Sequence, residues 1–553
     1  MSSSSLHTSH TQSHSKSQIE WSVHYDATSS LYTHPRNLAA LALMSGHQPP
    51  PVEEARILEL GCATGGNLTP IALSLPRSEC VGIDPFESQI DKARQRAEDS
   101  QAHNVTYLPI GVSDVDQLSG TFDYIIAHGL FSWISDEHRE DTLKLCRKLL
   151  STQGIAYISY NTYPHWHMEQ STRSLLRWQH QHLTQKSSTA DGKTRSDHEL
   201  IQEARSLLSV FARYAINADS CSIRSIYQRS TDRIKHLPDW YIVHEYLLEN
   251  NRAFYFDEWV KLAADFDLSY LGDAASNTEL SFALMPMAVR HELQAIHHDT
   301  IGIQQGVDFL VSRGLRRSII CRQEVRSNTQ EVSLTPWTDP LMRDSETFGQ
   351  LFVASYYLLD SDMKGLNEKA IYRDVTSHKD QSFVSDNTSQ NALLLLLSSV
   401  WPQQLSLRDL FEQAETLLKD YNLWGSKAQL DLDQAFHLLL CKEVILHPTL
   451  GEMNARQTQD HSGHSDRSSE DPPRLLAHVK GMLKQWPQSF TNYHHTSSFP
   501  SEALHWFISR YDEHCSRDQL RELLQQSPFT HVSIDDIFTE AMKLALLSSL
   551  EQR

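Results

Sequence analysis

The sequence is short of positive charge, of paired cysteines and of long apolar runs. Its 49 lysines and arginines face 69 aspartates and glutamates, a formal net charge of −20. A nucleic-acid binder needs a basic footprint to displace counterions from phosphates, so nucleic acid is excluded as a partner. The seven cysteines lie far apart and form no CxxC pair. They read as free thiols in a reducing compartment, the cytoplasm, rather than as a disulfide framework. The longest apolar run, "ALLLLLSSV" (392–400), falls far short of the roughly 20 residues that span a bilayer, and no integral membrane segment is expected. The opening "MSSSSLHTSHTQSHSKSQ" has no apolar core of the kind an export signal needs, and residues 1–18 read as a disordered tail. Histidines are plentiful, at 30, but "HWH" (165–167) and the "HH" pairs at 297–298 and 494–495 lack partners at metal-ligand spacing. "HEYLL" (244–248) is not HExxH, so no metal site is expected.

What is present is an α/β pattern. Residues 56–161 alternate strands and helices in the rhythm of a doubly wound, Rossmann-like parallel sheet. The strands are "RILEL", "ECVGID", "VTYLP", "FDYIIAH" and "GIAYISY". The helix "SDEHREDTLKLCRKLL" opens on a capping Ser135 with acids in its first turn, and closes on Lys144, Arg147 and Lys148, as the helix dipole favours. This part, 19–165, is taken as a catalytic domain. Residues 166–330 are helical in pattern, with a polar loop at 184–197, and form a middle domain; 331–389 are sparse in periodicity and read as a connector. In 390–450 three helices and a strand suggest a winged-helix-like domain, with Ser406 and Asp409 as a capping box. Between 390 and 448 it carries four basic against seven acidic residues, which favours protein contact over DNA. Residues 451–473 are a low-complexity linker, and 474–553 a C-terminal helical segment.

The loop after the first strand, in "RILELGCATGGNLTPIA" (56–72), decides the chemistry. Gly61 and Gly66 have P-loop spacing, but Asn67 and Leu68 stand where the lysine and hydroxyl of GxxxxGK(S/T) belong. The dinucleotide pattern GxGxxG fails too, because small residues fall at Gly61, Ala63 and Gly65. Glu59 at the strand end would repel a pyrophosphate and attract an ammonium group. S-adenosylmethionine (SAM) has an α-amino group, a sulfonium and no phosphate. Asp84 closes the second strand, where a carboxylate accepts both hydroxyls of a ribose; NAD enzymes share that feature, so it is the pair of acids that points to an aminoacyl nucleoside. The loop residue Cys62 and Pro85, next to Asp84, are taken into the same site. Ser113 or Asp114, after the third strand, meets the adenine amino group, although Asp114 is equally placed to cap the next helix.

The ends of the fourth and fifth strands form the rim facing the transferable methyl. His128 lines the donor or relays a proton. Tyr160, Asn161 and Tyr163 stand on this rim to orient the acceptor, with Trp133 beside them; a core role is the alternative for Trp133 and Tyr163. Tyr25, Tyr32 and His34, ahead of the first strand, are read as a lid over the donor or as helix packing.

"HYDATSSLYTHPRNLAALALMSG", "RILELGCATGGNLTPIA", "FDYIIAHGLFSW" and "GIAYISYNTYPHWH" together resemble the class I SAM-dependent methyltransferases that carry a methyltransferase regulatory domain. "YIVHEYLLENNRAFYFDEWVKLAADFDLSYLGDA" (241–274) resembles the signature of that domain, and "QGVDFLVSRGLRRSIICR" (305–322) and "TNYHH" (491–495) its later segments. Within the family the chain is most similar to rickettsial protein-lysine methyltransferases that modify an outer-membrane protein. The resemblance implies SAM as cofactor, held around Glu59, Gly61, Ala63, Gly65 and Asp84, and a polypeptide lysine as acceptor. Ala63 replaces a glycine usual in the superfamily, and His165 stands where the family pattern has glycine. A methyltransferase for a small molecule or other nucleophile, and a SAM-binding regulator without catalysis, are the alternatives. A homodimer is left open.

Overall fold

In the computed structural model, the described residues are 29–185, 196–214, 222–235, 237–326, 351–361, 363–374, 382–401, 404–425, 427–440 and 445–447, with Gly349 and scattered positions between 490 and 537. The expected tail (1–18), the linker (451–473), most of the polar loop (184–197), Tyr25 and nearly all of the C-terminal segment (474–553) lie outside them.

The chain divides into two compact units, residues 168–249 and a larger one comprising 26–167 with 250–553. The larger unit is built on a seven-stranded sheet. Its strands are β1 (Arg56–Leu60), β2 (Glu79–Ile83), β3 (Val105–Leu108), β4 (Phe122–Ala127), β5 (Leu150–Asn161), β6 (Leu268–Asp273) and β7 (Leu315–Arg322), in the order β3-β2-β1-β4-β5-β7-β6. The pairings among β1 to β5 are parallel, and β7 runs against both β5 and β6. The central strands β1 and β4 are nearly continuous buried runs, as a sheet covered on both faces requires. Around them lie α1 (Pro35–Met44), α2 (Leu68–Ser74), α3 (Glu87–Asp99) and α4 (Asp136–Leu149). The Ser135 hydroxyl caps α4 by accepting from the His138 amide.

Two expectations are corrected. The region 166–330, mostly helical as expected, is not a separate helical domain throughout, because residues 268–273 and 315–322 join the seven-stranded sheet. The stretch 331–389 is not a bare connector, because β8 (Phe352–Ala354), β9 (Tyr357–Leu359), β10 (Ala370–Asp374) and β11 (Ser382–Ser385) lie within it. Strand β8 pairs with β12 (Leu405–Ser406) and β13 (Ile445–His447), beside helices at Thr388–Val400, Leu407–Asp420 and Ala428–Leu440.

Helix α1 is buried along its whole length. One apolar cluster joins its Leu38 and Leu41 to Ile57, Ile126, Ile155 and Ile319 of the sheet, and to Leu393, Leu397 and Leu410 of the C-terminal helices. At about 1.5–3 kcal/mol for each fully buried leucine, α1 glues the C-terminal part to the sheet. On the opposite face Leu58, Ile125, Ile158, Tyr160 and Ile320 pack with Phe254, Phe256 and Trp259. Strand β7 is anchored there by buried charge. Asp308 receives Arg316 through Nε at 2.8 Å and Nη2 at 2.9 Å, and Arg313 Nε at 2.6 Å, while the Arg316 guanidinium lies 3.6 Å above the Phe256 ring.

The second unit consists of α5, which runs from His165 to Gln185, α6 (Asp197–Tyr214), α7 (Ser222–Ile234) and a short helix, Asp239–Ile242, that widens into a π-turn over Val243–Leu247. Leu176, Ile201, Leu208, Ile234 and Tyr246 form its core. Buried Glu169 accepts from the Tyr246 hydroxyl at 2.8 Å, and Arg173 donates to the carbonyls of Leu248 and, at 2.8 Å, Glu249.

Candidate active site

The carboxyl ends of β1, β2, β4 and β5 converge where open parallel sheets bind ligands. The glycine loop folds back on β2, with the Gly61 and Cys62 amides both donating to the Ile83 carbonyl, at 2.8 and 3.0 Å. Gly61 and Gly65 take φ of +68° and +72°. A Cβ on Gly65 would sit 2.6 Å from the Tyr107 hydroxyl, so only glycine fits. Ala63 also lies in the left-handed region, at φ 45°. An alanine pays a penalty there that glycine would not. The Asp84 carboxylate holds this turn by accepting from the Ala63 amide.

Glu59 is buried beneath the loop. Its Oε1 accepts from Asn67 Nδ2 at 2.8 Å, and its Oε2 has no partner among the described residues. Burial pushes its carboxyl up to about 8, against the pull of the Asn67 hydrogen bond, with the Asp84 charge adding to the rise. Asn67 in turn accepts from the Thr33 hydroxyl at 2.8 Å and the Ser30 amide at 3.1 Å, tying the turn before α1 to the loop. The two oxygens of Asp84 accept from the backbone amides of Ala63 and Phe86, at 3.1 and 3.0 Å. Burial raises its pKa, and those two amides oppose the rise. Each oxygen retains a lone pair. A buried, unpartnered carboxyl oxygen and a second carboxylate with spare acceptor capacity fit an ammonium group and a ribose, and the loop presents no cation for a phosphate.

The remaining donor-side expectations divide. Cys62 is buried in the core, so it offers the loop only its backbone, and Pro85 is exposed. Ser113 is exposed and donates to Asp141 at 2.6 Å; Asp114 accepts from the Gly111 amide at 3.0 Å, closing its own turn. Both are exposed, and each makes a bond to its own surroundings. His34 is the N-cap of α1, accepting from the Arg36 amide, which fits helix packing and not a lid.

At the acceptor side, His128 Nδ1 and the Tyr157 hydroxyl are hydrogen-bonded at 2.8 Å. Burial, then the Arg317 charge, pushes this imidazole down to about 4, so it is neutral at physiological pH. Tyr160 is a correction. It is sealed in the core, stacked on Trp259 with ring centroids 4.3 Å apart, and its hydroxyl bonds Ser318 Oγ at 2.9 Å. Side chains alternate along a strand, so its neighbours Ser159 and Asn161 take the other face.

Asn161 Nδ2 donates to Asn251 Oδ1 at 3.2 Å, and Asn251 Nδ2 is buried with no partner among the described residues. Tyr163 stacks on His167 with centroids 4.0 Å apart and leans on Tyr255 at 5.2 Å. Trp133 meets Trp166 edge-on at 6.1 Å. His165 packs against Gly314, where a Cβ would come within 2.8 Å of its ring, so room for this histidine is made by a glycine across the turn. Asn251 and Tyr255 were not singled out from the sequence; "LLENNRAFYF" carries them, but no spacing rule links position 251 to 161. Among the described residues no group of three or more histidine, cysteine or acidic side chains could hold a metal ion.

The model of a methyltransferase domain family matches residues 58–156, and that of a predicted methyltransferase regulatory domain matches 238–322. The uncharacterized protein RP789 of Rickettsia prowazekii is 30% identical over 420 residues, covering 76% of this chain and 71% of that protein. A second uncharacterized protein of the same organism, RP028, is 31% identical over 232 residues, covering 42% of this chain and 88% of its own. The structure of PKMT2 from Rickettsia typhi in complex with AdoHcy superposes with a TM-score of 0.71 at 21% identity, covering 95% of this chain and 99% of that one. At that identity the likeness is one of fold.

Proposed function

We propose lysine side chains of a polypeptide as the acceptor for this chain, which belongs to the SAM-dependent methyltransferases carrying a methyltransferase regulatory domain. SAM supplies a methyl group already activated on a sulfonium, so the work left to the protein is alignment, worth several kcal/mol. Glu59 would hold the α-ammonium through Oε2, and Asp84 the ribose hydroxyls, with Gly61, Ala63 and Gly65 giving the close backbone approach.

The observation that carries the lysine reading is the rim. Asn161 and Asn251 present carboxamides, Tyr163, His167 and Tyr255 present aromatic faces, and a neutral His128 stands at the end of β4. A partly desolvated rim depresses the pKa of an entering ammonium, so the amine attacks without a strong base. The net charge of −20 favours approach of a basic polypeptide. The fold shared with PKMT2 supports the same choice. We read the helices and three-stranded sheet over 351–447 as the winged-helix-like part, used for protein contact.

The test is transfer of labelled methyl from SAM to a lysine peptide library, lysate proteins and metabolites, followed by mass spectrometry of the products. Methyl-lysine in peptides supports the reading. Label confined to metabolites moves the acceptor to a small molecule, and SAM binding without any transfer makes the chain a sensor.

A further inference from the structure

We infer that Arg317, on β7, binds the carboxylate of the donor's methionine part and completes a zwitterion site with Glu59; this rests on the SAM reading above. An α-amino acid presents an ammonium and a carboxylate side by side. Glu59 answers the first, and the site described so far has nothing for the second, since His128 is neutral and the loop carries no cation.

Strand β7 runs antiparallel to β5 with Arg317 opposite Ser159. Ser159 Oγ accepts from the Gly129 amide at 2.8 Å and lies 3.4 Å from His128 Nδ1, so this register places Arg317 beside the end of β4. From there the guanidinium reaches the face of Tyr32, 4.2 Å from the ring centroid. Tyr32 precedes Thr33, whose hydroxyl bonds Asn67, and Asn67 bonds Glu59. The cation and the acid are thus linked through one short turn at the same end of the sheet.

Apart from its contact with the Tyr32 ring, the guanidinium keeps hydrogen-bonding capacity in reserve. Nε is buried without a hydrogen-bond partner, and among the described residues the group makes no ion pair. Its backbone is fixed on both sides, with the amide donating to Asp273 Oδ2 at 3.0 Å and the carbonyl accepting from Ala274 at 2.7 Å. The adjacent Arg316, on the other face of β7, is fully paired with Asp308. A buried donor with no acceptor costs stability unless something fills it, and here acids outnumber bases by 20. A rigidly mounted, unpaired arginine matches a carboxylate in its fork geometry.

The experiment is calorimetric titration of the full chain with S-adenosylhomocysteine, its decarboxylated analogue and 5′-methylthioadenosine. The native chain should prefer S-adenosylhomocysteine over the decarboxylated compound by about tenfold or more, as a charged hydrogen bond implies. Arg317→Met should abolish that preference and leave 5′-methylthioadenosine binding unchanged; Arg317→Lys, which keeps the charge, should retain part of it. Thermal melts without ligand check folding, and the Lys variant carries the comparison should the Met variant melt early. A preference that survives in Arg317→Met overturns the inference, and so does a loss shared equally with 5′-methylthioadenosine in either variant. If the native chain binds S-adenosylhomocysteine with no preference over its decarboxylated analogue, this assignment falls and the methyltransferase reading stands. If it binds none of the three, the donor assignment itself falls.

Discussion

Donor binding should be coupled to loss of a proton from Glu59. Without ligand its carboxyl is pushed up to about 8, so at neutral pH the group is mainly protonated. An ammonium group at Oε2 favours the carboxylate, and the proton must leave as the ligand enters. Removing it costs about 1.4 kcal/mol at pH 7 and about twice that at pH 6, by the 1.36 kcal/mol per pH unit of proton linkage. Affinity for S-adenosylhomocysteine should therefore rise about tenfold from pH 6 to 7 and level off near pH 8, where the ligand's own amino group begins to lose its proton. Calorimetry near pH 7 in buffers of differing ionisation enthalpy should register close to one proton released per ligand. Glu59→Gln should bind weakly, with a flat pH profile and no proton release. Stability follows the same group with a definite sign. Its folded pKa is raised above the ordinary 4.5, so the folded state binds the proton more tightly, and ligand-free stability falls as pH climbs from about 4.5 to 8. At pH 7 the deficit is about 3 kcal/mol. Glu59→Gln should recover it, melting higher than the native apoprotein at pH 8 and alike near pH 4.5. Equal affinity at pH 6 and 8 with no proton release would refute the reasoning.

Three further outcomes can be checked. Asn161→Ala and Asn251→Ala should each lower kcat by about tenfold or more while S-adenosylhomocysteine binding is kept, whereas Tyr160→Phe should cost only about 1 kcal/mol of stability, since its hydroxyl serves Ser318. Asp308→Ala strands Arg316 in the core and should destabilise the chain by about 3–5 kcal/mol in chemical denaturation. Gly65→Ala forces a Cβ onto the Tyr107 hydroxyl at positive φ; it should weaken binding of S-adenosylhomocysteine and lower thermal stability, with about 1–3 kcal/mol of strain.

The first five strands were legible because each is a short apolar run closed by a turn or an acid, and Glu59 and Asp84 stand out because a charge at the end of a buried strand needs a reason. Strands β6 and β7 were not legible, because the chain returns to the sheet only after the helical unit at 168–249. In "LRRSIICR" the twin arginines also look solvent-facing until Asp308 is seen neutralising one of them. Tyr160 was misplaced for a different reason. The period of two separates its side chain from those of Ser159 and Asn161, but strand patterning alone does not say which face carries the pocket. In the structure Ser159 shares its face with His128, whereas Tyr160 lies in the core on the other. Asn251 was invisible because its partner is Asn161, and contact across such a separation comes from tertiary packing alone.

Two carboxyl groups in one buried pocket would repel each other if both were ionised, and the structure shows how the pocket tolerates them. Asp84 spends its acidity on the turn, each oxygen taking a backbone amide that favours the charged form. Burial raises both groups; at Glu59, which keeps one oxygen open, it carries the carboxyl up to about 8 and the proton stays. Glu59 is thereby a protonated acid that would ionise when a cation arrives, beside an Asp84 whose oxygens are held by two backbone amides. A phosphate would add charge to this pair and a neutral nucleoside would leave Glu59 unanswered. An aminoacyl nucleoside would satisfy both acids together, and the Arg317 guanidinium, without an ion pair among the described residues, would supply the counter-charge that its carboxylate requires.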